Sequence, residues 1–297
     1  MQELPRKWIP TVQSKKKGWL GILFLAPSFL GVCIFVLIPF ADVVRRSFLD
    51  AMGSEFAGMK NYKTVLQNEA FQLAVGNTVK FLLVCIPLLL LLSLLCALLV
   101  NHFKVYQEFF KTTFLFPMAV PVASVVLLWR LFLDRNGFFN EAVKIFGLSP
   151  VNWMNSGKAF GVLVFTYLWK NTGYDMILWL AGLAAIPKGR YEAAGVDGAG
   201  GWQKFWYITL PGLRSSVFVI GILSVINCFK VFREAYLIAG DYPQESIYMM
   251  QHLFNNWFVS LDIQKMTAAS VMMALVMLVL MSVVWCRNER SRKWEDG

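Results

Sequence analysis

The stretch PKGRYEAAGVDGAGGWQKFWYITLPGL, Pro187 to Leu213, is a long polar interruption between two apolar runs. Its pattern predicts two short helical pieces on either side of a bend at Asp197-Gly198-Ala199, because glycine adopts the positive φ of a sharp turn at low cost. We expect the second piece to run from Trp202 to Leu210 and to close at Pro211. So much local order is typical of a docking element rather than of a flexible tether.

The composition predicts a membrane protein. Of the 297 residues, 57% are hydrophobic and 15% are charged, whereas soluble domains carry about 25% charged residues. The net charge of +10 fits cytoplasmic loops rich in Lys and Arg, so no nucleic-acid partner is predicted. The five cysteines form no C-x-x-C pair and the two histidines lie far apart, so we predict no metal site.

Apolar runs long enough to cross a bilayer recur along the chain, since a spanning helix needs about 20 apolar residues. The predicted fold class is all-α integral membrane, with six transmembrane helices and a cytoplasmic helix-turn-helix loop at 187–213. Pro117 and Pro121 are expected to kink the third helix. The six runs are Trp19–Phe40, Phe81–Val100, Thr112–Trp129, Ala159–Ile186, Ser215–Ala239 and Met266–Cys286.

The distribution of basic residues predicts the orientation. Lys and Arg concentrate in the tail 1–18, in the loop 187–213 and in the tail 287–297, which leaves 19–286 as the membrane region. The positive-inside rule therefore places both termini in the cytoplasm. Arg45 and Arg46 fall on the outer side in this arrangement, so the prediction depends mainly on the termini and on that loop.

The motifs of common enzyme sites are missing from the sequence. The segment GAGGWQK is rich in glycine, but its lysine is not preceded by glycine and is followed by Phe205, so it does not form a P-loop. Neither a His-Glu metal motif nor a nucleophile elbow occurs. We therefore expect no catalytic residue and no cofactor site in this chain.

Polar groups interrupt the fourth and fifth apolar runs, in the segments WKNTGYD and NCFKVFREAY. Ionisable groups at membrane depth are costly and usually face a bundle interior or an aqueous path. One interpretation is that the charges only neutralise one another, Lys170 with Asp175 or Lys230 with Glu234. The other is that these groups line a path for a polar solute, and the neighbouring aromatic rings would suit a sugar. The candidates for that path are Lys170, Asn171, Asp175, Asn227 and Lys230.

The loop 187–213 resembles the EAA loop of the membrane subunits of binding-protein-dependent ABC importers. The family pattern is E-A-A, three residues, G, nine residues and I-x-L-P, and every position is matched by Glu192-Ala193-Ala194, Gly198 and Ile208-Thr209-Leu210-Pro211. We call residues 187–213 the EAA loop. The segments FLAPSFLGVCIFVLIPFADVVRRSF and Gly58–Phe81 resemble sugar-type permeases of the maltose-permease F-like and glycerol-3-phosphate-permease A-like kind. The segment AGDYP, Ala239 to Pro243, departs from the T-x-G-G-P turn of the F-like partner.

The resemblance implies a function and a set of partners. The EAA loop would dock on a separate ATPase subunit through Glu192, Ala193, Ala194, Asp197 and Gly198. The partners would be a second, G-like permease, two ATPase subunits that bind ATP and Mg, an extracytoplasmic binding protein and membrane lipid.

The implied transport is import of a mono- or oligosaccharide across the cytoplasmic membrane of a prokaryote. Glycerophosphate-type or acidic sugar ligands stay open as an alternative cargo. A proton-coupled secondary transporter, with Asp175 as the proton carrier, is the alternative from another class.

Overall fold

A computed structural model describes residues 14–50, 53, 55–231, 234–236 and 243–293. In these residues the regular secondary structure is helical, and the one pairing of β type is an isolated bridge between Leu49 and Phe56. The prediction of an all-α fold is confirmed for this part of the chain. The AGDYP departure lies outside the described residues, apart from Pro243.

Two π-helical segments join consecutive helices, Cys33–Leu37 between α1 and α2 and Phe205–Thr209 between α10 and α11. The helices are α1 (Ser14–Val32), α2 (Ile38–Ser47), α3 (Lys60–Leu66), α4 (Glu69–His102), α5 (Gln107–Ala119), α6 (Val122–Leu133), α7 (Phe138–Ile145), α8 (Ala159–Ala185), α9 (Lys188–Val196), α10 (Gly201–Lys204), α11 (Leu210–Gly212), α12 (Arg214–Cys228), α13 (Met250–Val259) and α14 (Ile263–Lys293).

Several of these helices could cross a membrane by length and composition. Among the described residues, three continuous helical stretches are long and apolar enough: Leu23–Ser47, Glu69–His102 and Ile263–Val283. Two pairs of helices that meet at a bend would bring the total to at most five, if each pair is counted as one span. α8 has 27 residues and corresponds to the fourth predicted run, but its centre carries the polar segment WKNTGYD. The count of six spans stays a prediction.

The third predicted run is broken rather than kinked. α5 continues through Pro117 and ends at Ala119, and the following helical piece departs at 86°. The break lies at Val120, whose backbone is extended with φ −72° and ψ 128°. A residue before proline disfavours the α conformation, so Pro121 explains the place of the break.

α8 lies at the centre of the packing. Its buried residues contribute to two apolar clusters, Leu163 and Tyr167 to one and Met176 and Trp179 to the other. The indole Nε1 of Trp179 donates a hydrogen bond of 2.9 Å to the hydroxyl of Ser93 on α4. α8 is therefore held to its neighbours by both apolar packing and a buried polar contact.

Two glycines of α8 allow close helix crossings. A Cβ at Gly173 would overlap the carbonyl of Phe114 on α5, and a Cβ at Gly182 would overlap the side chain of Ser216 on α12. Small residues let the backbones of membrane helices approach closely. These two contacts fix where α5 and α12 cross α8.

Candidate functional site

The first arm of the EAA loop is α9, which ends in a tight turn. Gly198 has φ +77°, and the backbone N–H of Ala199 donates to the carbonyl of Ala194 at 2.8 Å. The N–H of Gly198 donates to the carbonyl of Gly195 at 3.2 Å. This is the Schellman pattern of helix termination, in which glycine takes the left-handed position. The predicted bend at Asp197-Gly198-Ala199 is confirmed.

The second arm differs in detail from the prediction. It starts at Gly201, passes through the π-helical segment Phe205–Thr209 and continues through Pro211 to Gly212. Pro211 therefore does not close the second piece. It lies in the first turn of α11, directly after the π-helical segment, so the helical arm runs through the proline. The pair Gly201–Gly212 and Arg214–Cys228 then bends by 61°.

The EAA loop has an exposed tip and a buried base. At the tip, Glu192, Ala193, Asp197 and Gly198 are exposed, and Ala194 is half-buried. At the base, Thr209 and Leu213 are buried, and Tyr191 and Ile208 pack against the apolar cluster that contains Leu183 and Ile186. The five residues proposed from the sequence thus lie together on α9 and its turn, and this arrangement leaves the tip accessible to another protein.

A buried ion pair joins α8 to the chain beyond α12. Lys170 Nζ lies 3.4 Å from Glu234 Oε1, and both residues are 8% exposed. Of the pairings expected from the sequence, Lys170 with Asp175 is wrong, because Lys170 faces Glu234. The pairing of Lys230 with Glu234 stays a prediction, since the side chain of Lys230 lies outside the described residues. Residues five apart on a helix point about 140° away from each other, so Lys170 and Asp175 cannot share a face.

Asp175 contacts α12 instead. The hydroxyl of Ser224 donates to Asp175 Oδ2 at 2.9 Å and also lies 2.8 Å from the carbonyl of Ile220. Asp175 and Ser224 are each 1% exposed. Both charged candidates on α8 are therefore buried against the segment that contains α12, and neither is exposed in this conformation.

The remaining candidates are Asn171, Asn227 and Lys230. Asn171 is half-buried and donates from Nδ2 to the carbonyl of Tyr167 at 2.8 Å, one turn back on α8. Asn227 is half-buried near the end of α12. Lys230 lies in a 3-10 turn at Phe229–Val231, and its side chain lies outside the described residues.

Sequence reasoning named Glu234 as a possible partner of Lys230 and not of Lys170, and it missed Ser224 as a member of this polar cluster. Glu234 had a usable signal, because it is an acidic residue at the end of a largely apolar run. Ser224 had none, since a single serine in a membrane helix commonly bonds to its own backbone.

Comparison with known proteins decides the family. The family described as "Binding-protein-dependent transport system inner membrane component" matches residues 89–286. The chain belongs to this family. As a permease of this kind it is a multi-pass component of the inner membrane, and it is a transport component of an ABC importer.

Individual relatives cover almost the whole permease. It is 31% identical to the trehalose/maltose transport system permease protein MalF of Thermococcus litoralis, over 94% of this chain and 96% of the relative. It is 32% identical to the sulfoquinovosyl glycerol transport system permease protein SmoG of Agrobacterium fabrum, over 92% and 91%. It is 30% identical to the sn-glycerol-3-phosphate transport system permease protein UgpA of Escherichia coli, over 93% and 96%.

A solved structure shares the fold of the permease. A chain of a bacterial ABC transporter involved in the import of the acidic polysaccharide alginate superposes with a TM-score of 0.80, over 94% of this chain and 96% of that one. The sequence identity of that pair is 24%, so the similarity is one of fold.

Proposed function

We propose that the permease forms, with a second permease subunit, the translocation path for a carbohydrate delivered by an extracytoplasmic binding protein. The names of its relatives support this cargo, since they include a trehalose/maltose permease and a sulfoquinovosyl glycerol permease. The solved alginate transporter, which is also known in complex with a periplasmic protein carrying an alginate pentasaccharide, supports delivery by such a partner.

Energy would come from two separate ATPase subunits, which would bind ATP and Mg and dock on the EAA loop. The observation that carries this proposal is the exposed tip formed by Glu192, Ala193 and Gly198 on a loop whose base is buried. The small side chain of Ala193 permits close approach of a partner surface. Glu192 offers a carboxylate to a basic residue of that partner.

A second permease has a suitable surface to cover. Leu25, Phe29 and Phe35 on the first helical stretch are at least 64% exposed, and the apolar window of Leu23–Ser47 has 0% of its residues buried. Lipid and a partner subunit are the two apolar environments available to such a helix in a bilayer. In this arrangement the termini and the EAA loop face the cytoplasm, in agreement with the positive-inside rule.

A neutral sugar fits the buried charges better than an anionic ligand. The relative UgpA is named for sn-glycerol-3-phosphate and the solved neighbour for an acidic polysaccharide. In this permease, however, Glu234 already neutralises Lys170 at 3.4 Å, so that lysine is not available to a phosphate or a carboxylate. The proton-coupled alternative is disfavoured by the family itself, and Asp175 is engaged by Ser224.

The test is purification of the permease co-expressed with its ATPase subunits. We expect Glu192→Arg and a bulky replacement of Gly198 to release those subunits, whereas Lys188→Glu on the exposed start of α9 should retain them. Retention of the ATPase by both loop variants would contradict docking at this site. Binding of a panel of neutral and acidic sugars to the partner binding protein would then identify the cargo.

A further inference from the structure

The two arms of the EAA loop are joined by a hydrogen bond between side chains. Tyr191 Oη on α9 lies 2.9 Å from Thr209 Oγ1, at the end of the π-helical segment. Thr209 Oγ1 also lies 3.3 Å from the carbonyl oxygen of Lys204. A carbonyl only accepts, so Thr209 donates to Lys204 and Tyr191 donates to Thr209. Thr209 is 6% exposed, so water competes little for this bond.

α9 is joined to α8 and to the second arm by non-helical backbone at both of its ends. At its start, Ile186 and Pro187 are extended, with ψ 124° and ψ 127°. At its end, the chain reverses through Gly198 in the left-handed conformation. A helix held at two such ends can roll about its axis. The Tyr191 side chain, in the middle of α9, fixes that rotation relative to the second arm.

The second arm is itself fixed to the membrane helices. A Cβ at Gly212 would lie 2.9 Å from Ile186 Cδ1, so this arm packs directly on the end of α8. The next residue, Leu213, is 0% exposed, and α12 begins at Arg214. A force applied to the exposed face of α9 can therefore reach α12 through the contact between Tyr191 and Thr209.

We propose that Tyr191 and Thr209 are positioning residues that transmit movement of the docked ATPase from α9 to α12. They do not form the docking surface, since Thr209 is buried and Tyr191 is half-buried at the base of the loop. This inference rests on the proposed docking of ATPase subunits at the EAA loop. It adds that docking and transmission are separable, because they use different residues of the same loop.

The experiment uses the whole transporter in lipid nanodiscs, with purified binding protein added as the probe. Tyr191→Phe and Thr209→Val each remove the bond. Thr209→Ser keeps the hydroxyl, and Tyr207→Phe is a matched control, because Tyr207 lies on the same loop and is 81% exposed. Three quantities are measured: the ATPase subunits retained, basal ATP hydrolysis and its stimulation by binding protein.

We expect Tyr191→Phe and Thr209→Val to keep the ATPase subunits and basal hydrolysis. Stimulation by binding protein should fall about three- to tenfold, the scale of one lost hydrogen bond. Thr209→Ser and Tyr207→Phe should behave like the unmodified protein. The inference would be overturned if Tyr191→Phe and Thr209→Val both left the stimulation unchanged, or if both lost the ATPase subunits. Failure of the unmodified permease to retain ATPase subunits would instead contradict the proposed function.

Discussion

Lys170 and Glu234, 64 positions apart in the sequence, form an ion pair at 3.4 Å in which both side chains are about nine-tenths buried. The positive charge of Lys170 and the negative charge of Glu234 stabilise each other in a region that is largely closed to water. Taking two ions out of water is costly, and their attraction repays that cost only while both are present.

Removal of one partner of this pair should destabilise the permease strongly. We expect Lys170→Met to lower the free energy of unfolding by about 3–5 kcal/mol, because it removes the cation that faces the buried carboxylate of Glu234. The double variant Lys170→Met/Glu234→Leu should recover most of that loss. Unfolding by a denaturing detergent, analysed as a double-mutant cycle, measures both. Equal stability of the single and double variants would argue against the pair.

The close crossing of α5 and α8 should make Gly173 intolerant of a side chain. Gly173→Ala would place a methyl group against the carbonyl of Phe114. We expect the free energy of unfolding to fall by about 1–3 kcal/mol. Gly161→Ala is the matched control on the same helix, since nothing lies within 4 Å of a Cβ there. That control should be neutral or slightly stabilising. Thermal unfolding in detergent compares the two, and similar midpoints would contradict the crossing.

The hydrogen bond from Trp179 to Ser93 predicts a penalty for removing the hydroxyl. Ser93→Ala leaves the buried indole N–H without its acceptor, and about 1–3 kcal/mol should be lost. Ser270→Ala serves as the control, because that hydroxyl donates to the carbonyl of Met266 on its own helix at 2.8 Å. A loss confined to Ser93→Ala in equilibrium unfolding would support the contact. Equal losses for the two would count against it.

Replacement by alanine should have opposite effects at two glycines in the first arm of the EAA loop. Gly198→Ala places a Cβ at φ +77°, which costs about 1–2 kcal/mol although the surrounding space is open. Gly189→Ala lies within α9 in open space and should favour the helix. Hydrogen exchange of α9 amides should be faster in the first variant and unchanged or slower in the second. Faster exchange in both would indicate that the turn is not the determinant.

Local features of this permease could be read from its sequence because their causes are local. The turn at Gly198 follows from glycine in a helix–bend–helix pattern, and its left-handed φ bears this out. The helical class follows from apolar runs that must satisfy their own backbone in lipid. The break near Pro121 was marked by the proline itself, although its 86° angle depends on packing that no local rule contains.

Contacts between helices could not be read in the same way. The partner of Lys170 depends on how α8 and the chain after α12 are rotated about their axes, and that rotation is fixed by contacts such as Gly173 with Phe114. A pairing guessed from proximity in sequence, Lys170 with Asp175, fails because the helical repeat separates their directions. The roles of the EAA loop and of the polar cluster in transport stay predictions.

The close contact of Gly182 with Ser216 has a mechanical consequence for α8. At about 1.5 Å of rise per residue, Ala185 lies about 4.5 Å from Gly182 along the axis, whereas Lys170 lies about 18 Å away on the other side. If the unbroken helix tilts about that contact, a small displacement beside the EAA loop is multiplied about fourfold at Lys170. With such a ratio, a shift of about 1 Å beside the loop corresponds to about 4 Å at Lys170, the residue that pairs with Glu234.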